Sequence, residues 1–358
     1  MPSAAEPIPA VSQRLDAFLR RRTEEAASWG ESATLMASDA AGAVAGGKRL
    51  RARFCLAGSR AVVSADGDDT VVVGVSAALE IFHAAALVHD DLIDNSDRRR
   101  GGPAAHRAWE QRHRSGRWRG DATAFGRSAA VLIGDLLVAW SDDLLEDALS
   151  QADPSRGAAA RREYAAMRRE VTVGQFLDIA GEARSFSASS SPEAALRVAS
   201  MKSARYSVEQ PLVIGAALGG ADPEQVAALR RFGHPLGMAF QLRDDLLGVF
   251  GNAEVTGKPA GDDLREGKQT LLVAYAREAL SAEEWREADA MIGDRGLGEA
   301  GVGRVQRLII KSGARERVEE VIADYAAQAD RALDAAPLPA PTRAELRDLA
   351  RAAISRHA

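Results

Sequence analysis

The stretch HDDLIDNSDRRR, His89 to Arg100, sets four aspartates and three arginines within twelve residues, directly after the apolar run IFHAAALV. In a helix turning about 100° per residue, Asp90 and Asp94 fall on one face with Asp91 beside them. Three carboxylates on one face repel one another unless cations lie between them. Magnesium takes oxygen ligands and typically uses one or two carboxylates together with substrate phosphates, so this spacing points to a magnesium–diphosphate site. The alternative is a solvated helix end. Acidic residues near a helix C-terminus oppose the macrodipole, however, and a solvated end leaves their position unexplained.

A second pair, Asp244-Asp245 in QLRDDLLG, echoes LVHDDLID. Gln241, Asp244, Asp245 and Gly248 share a helical face, but the third acid is absent and Gly248 stands in its place. Two acidic faces across a cavity would hold several magnesium ions around one diphosphate. Basic residues complete the pattern: Lys48, Arg49 and Arg51 in GGKRLRAR, Arg98 to Arg100 after the first acids, and Lys202, Lys258 and Lys268 near other motifs. Arginine forks bind phosphate oxygens bidentately and lysine binds them as a point charge, which suggests a second phosphate site needing no metal. His83 lies two turns before Asp90 on the same face, as a core histidine or a ligand-binding one. With His89 and the aspartates it matches no zinc spacing.

Helices must position these residues. Periodicity places them near 11–29, 48–64, 70–95, 122–149, 156–183, 192–219, 222–250, 268–292, 314–335 and 341–356. Asp69 or Thr70, Ser191-Pro192-Glu193 and Asp222-Pro223-Glu224 supply start signals. Val71-Val72-Val73 is β-branched, but its continuation into AALEIFHAAAL favours a helix start. Trp109 to Thr123, Ser185 to Ser191 and Gly251 to Gly267 read as loops, none long enough for a domain linker. The expectation is an all-α, single-domain bundle of about ten or more helices over residues 1–358, with residues 1–10 disordered.

Composition narrows the function. Aromatics are only 5% of a chain that is 46% hydrophobic, which favours helix and allows a sizeable core. A net charge of −5 gives no reason to expect nucleic-acid binding. The single cysteine, Cys55, excludes an internal disulfide and points to a reducing cytoplasm. Glu80 and His83 interrupt the longest apolar run, Val71 to Val88, so no integral membrane segment is expected. The N-terminal residues show no signal-peptide pattern.

At this point the chain resembles the trans-isoprenyl diphosphate synthases. The motifs GGKRLR, FHAAALVHDDLID with RRRGGPAAH, GQFLD, MKSA, FQLRDDLLG and GKPAGDDLREGKQT run in family order from Gly46 to Thr270. DDxxD alone is weakly specific; the ordered set is highly specific. The resemblance implies an all-α fold around a deep central cavity, usually homodimeric. It implies that Lys48, Arg51, His83 and Arg100 bind isopentenyl diphosphate. Asp90 and Asp94 would hold magnesium on an allylic diphosphate, Asp91 supporting them, and Asp244 would hold a further ion with help from Gln241 and Asp245. That makes roughly three Mg2+ ions at one site. Arg99, Lys202, Lys258 and Lys268 would contact the allylic diphosphate, and Ser203 and Gln241 would offer dipoles to the carbocation. Gly248 departs from the family, where aspartate is common, as do Ser203 for threonine and Ala52 for proline.

The product should grow along the helix under Asp90. Ala85 and Ala86 leave room, and Phe82, a turn deeper, is the expected floor, so geranylgeranyl diphosphate is the expected product ahead of farnesyl or longer chains. A terpene cyclase would usually carry an Asn/Ser/Glu metal motif where Arg243-Asp244-Asp245 stands and would not need GGKRLR. A non-catalytic regulatory subunit could lose an acidic motif or the basic site, and this chain keeps them all.

Overall fold

The β-branched run Val71-Val72-Val73 opens a helix, α4 (Thr70–Ile93), and not a strand. Val75, Ala77, Ala78, Leu79 and Ile81 of α4 have no exposed surface. Fully burying each of the larger of these side chains contributes about 1.5–3 kcal/mol, which makes α4 the axis of the core. It packs most extensively against α6 (Ala122–Leu149), where Ser141 Oγ donates to Ala78 O at 2.9 Å. The computed structural model describes residues 7–62, 69–183, 191–251 and 260–354. Apart from a hairpin pairing β1 (Arg98–Arg99) with β2 (Gly102–Pro103), the regular elements among the described residues are helices.

Before α4 come α1 (Pro7–Ala27), α2 (Glu31–Val44) and α3 (Leu50–Arg60). After the hairpin come α5 (Ala105–Ser115), α6 and α7 (Pro154–Ala183). Then α8 (Pro192–Ala199) runs through a π-helical segment (Ser200–Glu209) into α9 (Gln210–Gly219). The long α10 (Pro223–Phe250), capped by Asp222 and Gln225 in a capping box, follows. The chain continues through α11 (Asp262–Glu266), α12 (Leu271–Ala279), α13 (Ala282–Asp289), α14 (Glu299–Lys311), α15 (Ala314–Asp334) and α16 (Ala340–Ile354).

Several expectations need correction. The N-terminal helix starts at Pro7, inside the stretch expected to be disordered; residues 1–6 lie outside the described residues. Trp109 to Ser115 belong to α5 and are not a loop. Four helices, α2, α5, α11 and α14, were not anticipated. The expected helix 268–292 is two, because Ser281 caps α13 just after α12 has ended. Gly251 to Gly267 includes α11, and of Ser185 to Ser191 only Ser191, the N-cap of α8, is described. Two helices, α4 and α6, are long and apolar enough to cross a membrane by length and composition. In α4 that stretch is 78% buried as a core helix; in α6 only 28% is buried, which leaves an apolar surface uncovered.

Candidate active site

A cavity of about 770 Å³ opens between α3, α4, α7, the π segment, α10 and α11. Its acidic walls are the C-terminal end of α4 and the last turns of α10. Asp90, Asp244 and Asp245 line it, together with Asp178 of α7 and Asp262 and Asp263 of α11. The two acidic faces anticipated from their spacing therefore do meet across one space.

Two lysines stand between the carboxylates. Lys202 Nζ lies 3.3 Å from Asp90 Oδ1 and also pairs with Asp178. Lys268 Nζ lies 3.4 Å from Asp94 Oδ2, 3.3 Å from Asp263 Oδ1 and 2.6 Å from Glu266 Oε2. Burial opposes charge on both lysines, yet the surrounding carboxylates hold both above the usual lysine range. The acids show the converse. Burial, then Asp90, pushes Asp94 up to about 6. Burial, then Asp263, pushes Asp245 up to about 8, although Gln241 Nε2 donates to its Oδ1 at 2.6 Å. Burial, then Asp178, pushes Glu182 up to about 7. This half of the cavity holds more negative charge than its lysines neutralise.

The other DDxxD residues play different parts. Asp91 is buried and takes both carboxylate oxygens to Arg99 Nε, at 2.9 and 3.0 Å, so it anchors that guanidinium. Asp94 is buried beneath Lys268 and does not line the cavity. Asp97 and Arg98 are held locally, Asp97 by Arg107 Nε at 2.7 Å and Arg98 through Gly101 O at 2.6 Å.

A basic pocket occupies the other end. Arg51 Nη2 donates to Ser207 Oγ at 2.8 Å, and its guanidinium lies 4.1 Å from the Tyr206 ring centroid. Its buried Nε has no hydrogen-bond partner among the described residues. His83 Nδ1 is 3.1 Å from the Tyr206 hydroxyl. Burial, reinforced by Arg51, Arg100, Arg99 and Arg49, holds His83 well below the usual histidine range, so the imidazole is neutral. Lys48 lines the cavity from an exposed position. Arg100 donates to Ala45 O and, at 3.4 Å, to Ala43 O, tying the hairpin to the GGKRLR turn. Buried Glu80 pins that turn to α4, accepting from Ala52 N at 3.1 Å and facing Arg49 Nη1 at 3.6 Å. Arg49 and Arg100 both take left-handed backbone, uncommon for residues with side chains.

The π segment joins the two halves, carrying Lys202 and Ser203 at one end and Tyr206 and Ser207 at the other. It lies close beneath two neighbouring helices because both offer glycine. A Cβ at Gly174 of α7 would sit 2.5 Å from Lys202 N, and one at Gly237 of α10 would sit 2.3 Å from Ala204 O.

Of the expected site residues, Lys48, Arg51, His83, Asp90, Arg99, Arg100, Lys202, Ser203, Gln241, Asp244, Asp245 and Lys268 line this one cavity. Lys258 lies outside the described residues. Of the wall residues only Ala86 lines the cavity. Ala85 is packed into the core, and Phe82 lies beneath, edge-on to Tyr206 and Tyr164 at 5.9 and 6.2 Å. Gln175, Asp178 and Glu182 were not singled out, although their spacing sets them on one face of α7; Asp262, Asp263 and Glu266 of α11 were missed as well.

The sequence profile of the Polyprenyl synthetase family matches residues 34–309. The chain belongs to the polyprenyl synthetase family. A short chain isoprenyl diphosphate synthase of Methanothermobacter thermautotrophicus is 31% identical to this polyprenyl synthetase over 290 residues, 81% of each chain. A nonaprenyl diphosphate synthase of Mycobacterium tuberculosis is 30% identical over 313 residues, 87% of this chain and 84% of its own. A geranylgeranyl pyrophosphate synthase of Corynebacterium glutamicum, solved with isoprenyl diphosphate and magnesium, has a TM-score of 0.91 at 37% identity over 98% of both chains. The polyprenyl synthetase described here is thus a trans-isoprenyl diphosphate synthase with the all-α isoprenoid synthase fold; its relatives differ in the length of chain they make.

Proposed function

We propose that the enzyme joins isopentenyl diphosphate head to tail to an allylic diphosphate and releases geranylgeranyl diphosphate. The observation that carries this reading is one cavity divided into two anion sites, an acidic one bridged by lysines and a basic one around Arg51 and His83.

Magnesium fits the acidic half: the donors are carboxylate oxygens, and Asp90, Asp178, Asp244, Asp245, Asp262 and Asp263 line a cavity in which two lysines stand among them. Asp90, Asp94 and Asp244 would hold roughly three ions, with Asp91 and Asp245 supporting. When bound, the metal neutralises the diphosphate and eases its departure from the allylic carbon. Lys202, Arg99 and Lys268 would contact diphosphate oxygens, and the family resemblance adds Lys258, outside the described residues. Lys268 trades Asp94 for the diphosphate, which opens Asp94 to the cavity. Lys48, Arg51, His83 and Arg100 hold isopentenyl diphosphate with its double bond toward the allylic carbon. Neutral His83 has one ring N–H to donate; where Tyr206 donates to Nδ1, that donor is Nε2. The Ser203 hydroxyl and the Gln241 carbonyl present oxygen dipoles to the developing carbocation. The departed diphosphate takes the final proton.

Chain length is set beneath Asp90. Ala86 leaves the cavity open there, and Phe82, boxed by Tyr164 and Tyr206 one layer below the cavity lining, would stop the growing chain. Because Ala85 is only 1% exposed within the core, the substitution that reads the wall is Ala86→Phe and not Ala85→Phe. The test supplies both diphosphates with Mg2+, hydrolyses the product and sizes the prenyl alcohol. Geranylgeraniol is expected, with a longer alcohol from Phe82→Ala and a shorter one from Ala86→Phe. A different wild-type product, or unchanged lengths in both variants, overturns the reading. We further propose a homodimer, argued in the Discussion, and a cytoplasmic enzyme, in keeping with the lone, buried thiol of Cys55.

A further inference from the structure

The connection between α5 and α6 carries charge that the active site does not use. Arg112 to Asp121 reads RHRSGRWRGD, four arginines and a tryptophan within ten residues of a chain whose net charge is −5. None of these residues lines the catalytic cavity.

The turn is held from within. Trp118 N donates to His113 O at 3.1 Å, and the buried His113 ring sets Nε2 3.1 Å from Arg119 O. Arg117, between them, takes left-handed backbone with φ 53°. The acids nearby are already engaged. Glu110 pairs with Arg107 at 2.9 Å and with Arg114 at 2.5 Å, Asp39 with Arg112 at 2.7 Å and Asp97 with Arg107 at 2.7 Å. Asp121 caps α6, accepting from Thr123 N at 2.8 Å. Arg117 and Arg119 are exposed and form no ion pair among the described residues. Trp118 stands between them, 43% exposed, yet held edge-on to Phe125 at 5.3 Å and to His113 at 5.9 Å. A fixed aromatic ring is thus presented to the outside between two unpaired guanidinium groups.

That combination suits a particular surface. Tryptophan has an apolar body and one polar N–H, and it settles where a bilayer meets water. Arginine grips phosphate oxygens, and basic residues are drawn to anionic headgroups. A nucleic acid would need a longer basic track than one turn on a net-acidic chain. We propose that the Gly116–Asp121 turn docks the enzyme on an anionic lipid surface, with Trp118 in the headgroup layer and Arg117 and Arg119 on lipid phosphates. The enzyme's chemistry gives such a contact a use: isoprenyl diphosphates join an apolar tail to a polar head, and an enzyme resting on a bilayer releases its product into it.

The full-length enzyme tests this by flotation with vesicles of phosphatidylcholine alone or of phosphatidylcholine mixed with phosphatidylglycerol. Wild type should rise with the mixed vesicles and stay down with the neutral ones. Salt at about 1 M, which screens charges beyond about 3 Å, should release it. Arg117→Asn/Arg119→Gln should weaken the binding by about 10-fold or more and keep turnover of dissolved substrates. Asparagine tolerates the left-handed backbone at 117. Lipids brominated near the headgroup should quench wild-type tryptophan emission, and Trp118→Phe should remove most of that quenching. Wild type that ignores both kinds of vesicle overturns the proposal, as does a double variant that floats unchanged. Wild type that binds single-stranded DNA more tightly than mixed vesicles points to nucleic acid and overturns it too. A double variant that changes its oligomeric state on gel filtration places the turn between copies, with the same consequence. Should the double variant fail to fold, quenching decides: emission quenched equally in wild type and Trp118→Phe overturns the proposal.

Discussion

Arg51 is held on three sides: Ser207 takes Nη2, the Tyr206 ring lies under the guanidinium, and α3 fixes its backbone. Arg51 also lines the cavity, where a guanidinium can grip phosphate oxygens as a fork. Lysine in its place keeps the charge and loses both the fork and the stacking. Charge-assisted hydrogen bonds contribute about 1.5–3 kcal/mol each, so Arg51→Lys should raise the KM for isopentenyl diphosphate by about 10-fold or more. The KM for the allylic substrate should stay within about twofold, because the acidic half is untouched. Steady-state kinetics with each substrate varied in turn checks this; equal rises in both constants would place Arg51 outside the isopentenyl site. The same residue shows what a sequence discloses at this scale. Asp90, Asp91 and Asp94 share one helix, so spacing alone set them on one face. Arg51, His83 and Tyr206 come from different elements, and Tyr206 carries no charge to mark it, so their joint pocket was visible only as an accumulation of basic residues. Asp178 stayed hidden within GQFLD for a related reason, since its partner Lys202 lies on another helix.

Among the elements, the π segment controls the site most directly. An i→i+5 turn shifts the side-chain register within a helix, and such segments recur at functional sites. Here it aims Lys202 at Asp90 and Tyr206 at Arg51 from a single run, and Gly174 lets α7 close down on it. A methyl at 174 would meet the Lys202 backbone at 2.5 Å, so one of the two must move. Gly174→Ala should therefore lower kcat by about 10-fold or more and destabilise the fold by about 1–3 kcal/mol, the usual cost of overpacking. Gly181→Ala on the same helix, whose added methyl meets only Gln269 Cγ at 3.9 Å, should do neither. Turnover and thermal denaturation measured side by side check the pair; a Gly174→Ala enzyme with wild-type kcat would show that the close approach does not position Lys202. The helices missed from sequence were missed for different reasons. In α5, AHRAWEQRHRS, apolar residues are too few to print a stripe, and the helix is held instead by Glu110, which takes Arg107, Arg114 and Thr123. In α2 the buried face is largely alanine, which gives little contrast; α14 sets Val302, Val305, Leu308 and Ile309 on one buried stripe, a signal that was there to read despite the two glycines near its start. Long α4 and α6 stood out by their length and apolar content and emerged with nearly the expected bounds.

At the scale of the whole molecule, one surface is left uncovered that its composition does not suit to water. Val131 and Leu132 on α6 are 42% and 56% exposed, and Val173 and Phe176 on α7 are 47% and 63% exposed. The ion pairs Asp142–Arg168 and Glu146–Arg161 link α6 and α7 in antiparallel order. Carried toward the start of α6, that register brings Leu132 toward Phe176. His89 Nε2, 3.3 Å from Val131 O, ties in the end of α4, where Ile93 is 41% exposed. Five exposed apolar side chains thus stand on α4, α6 and α7, and exposed apolar surface of this kind marks an association surface. A second copy is the simplest occupant, since a two-fold axis sets a patch against itself and needs no other partner. Helices of 28 and 30 residues, about 40–45 Å long, offer ample length for the roughly 800 Å² per partner that a stable interface buries. The wild-type chain should therefore run as a dimer in light scattering coupled to gel filtration, and Leu132→Asp/Phe176→Asp should run as a monomer with its helical circular dichroism intact. Because the face adjoins the α4 end that carries Asp90, the monomer should also lose activity, and concentrating it should not restore turnover. A double variant that still elutes as a dimer would mean that the copies meet elsewhere and that this face serves another purpose.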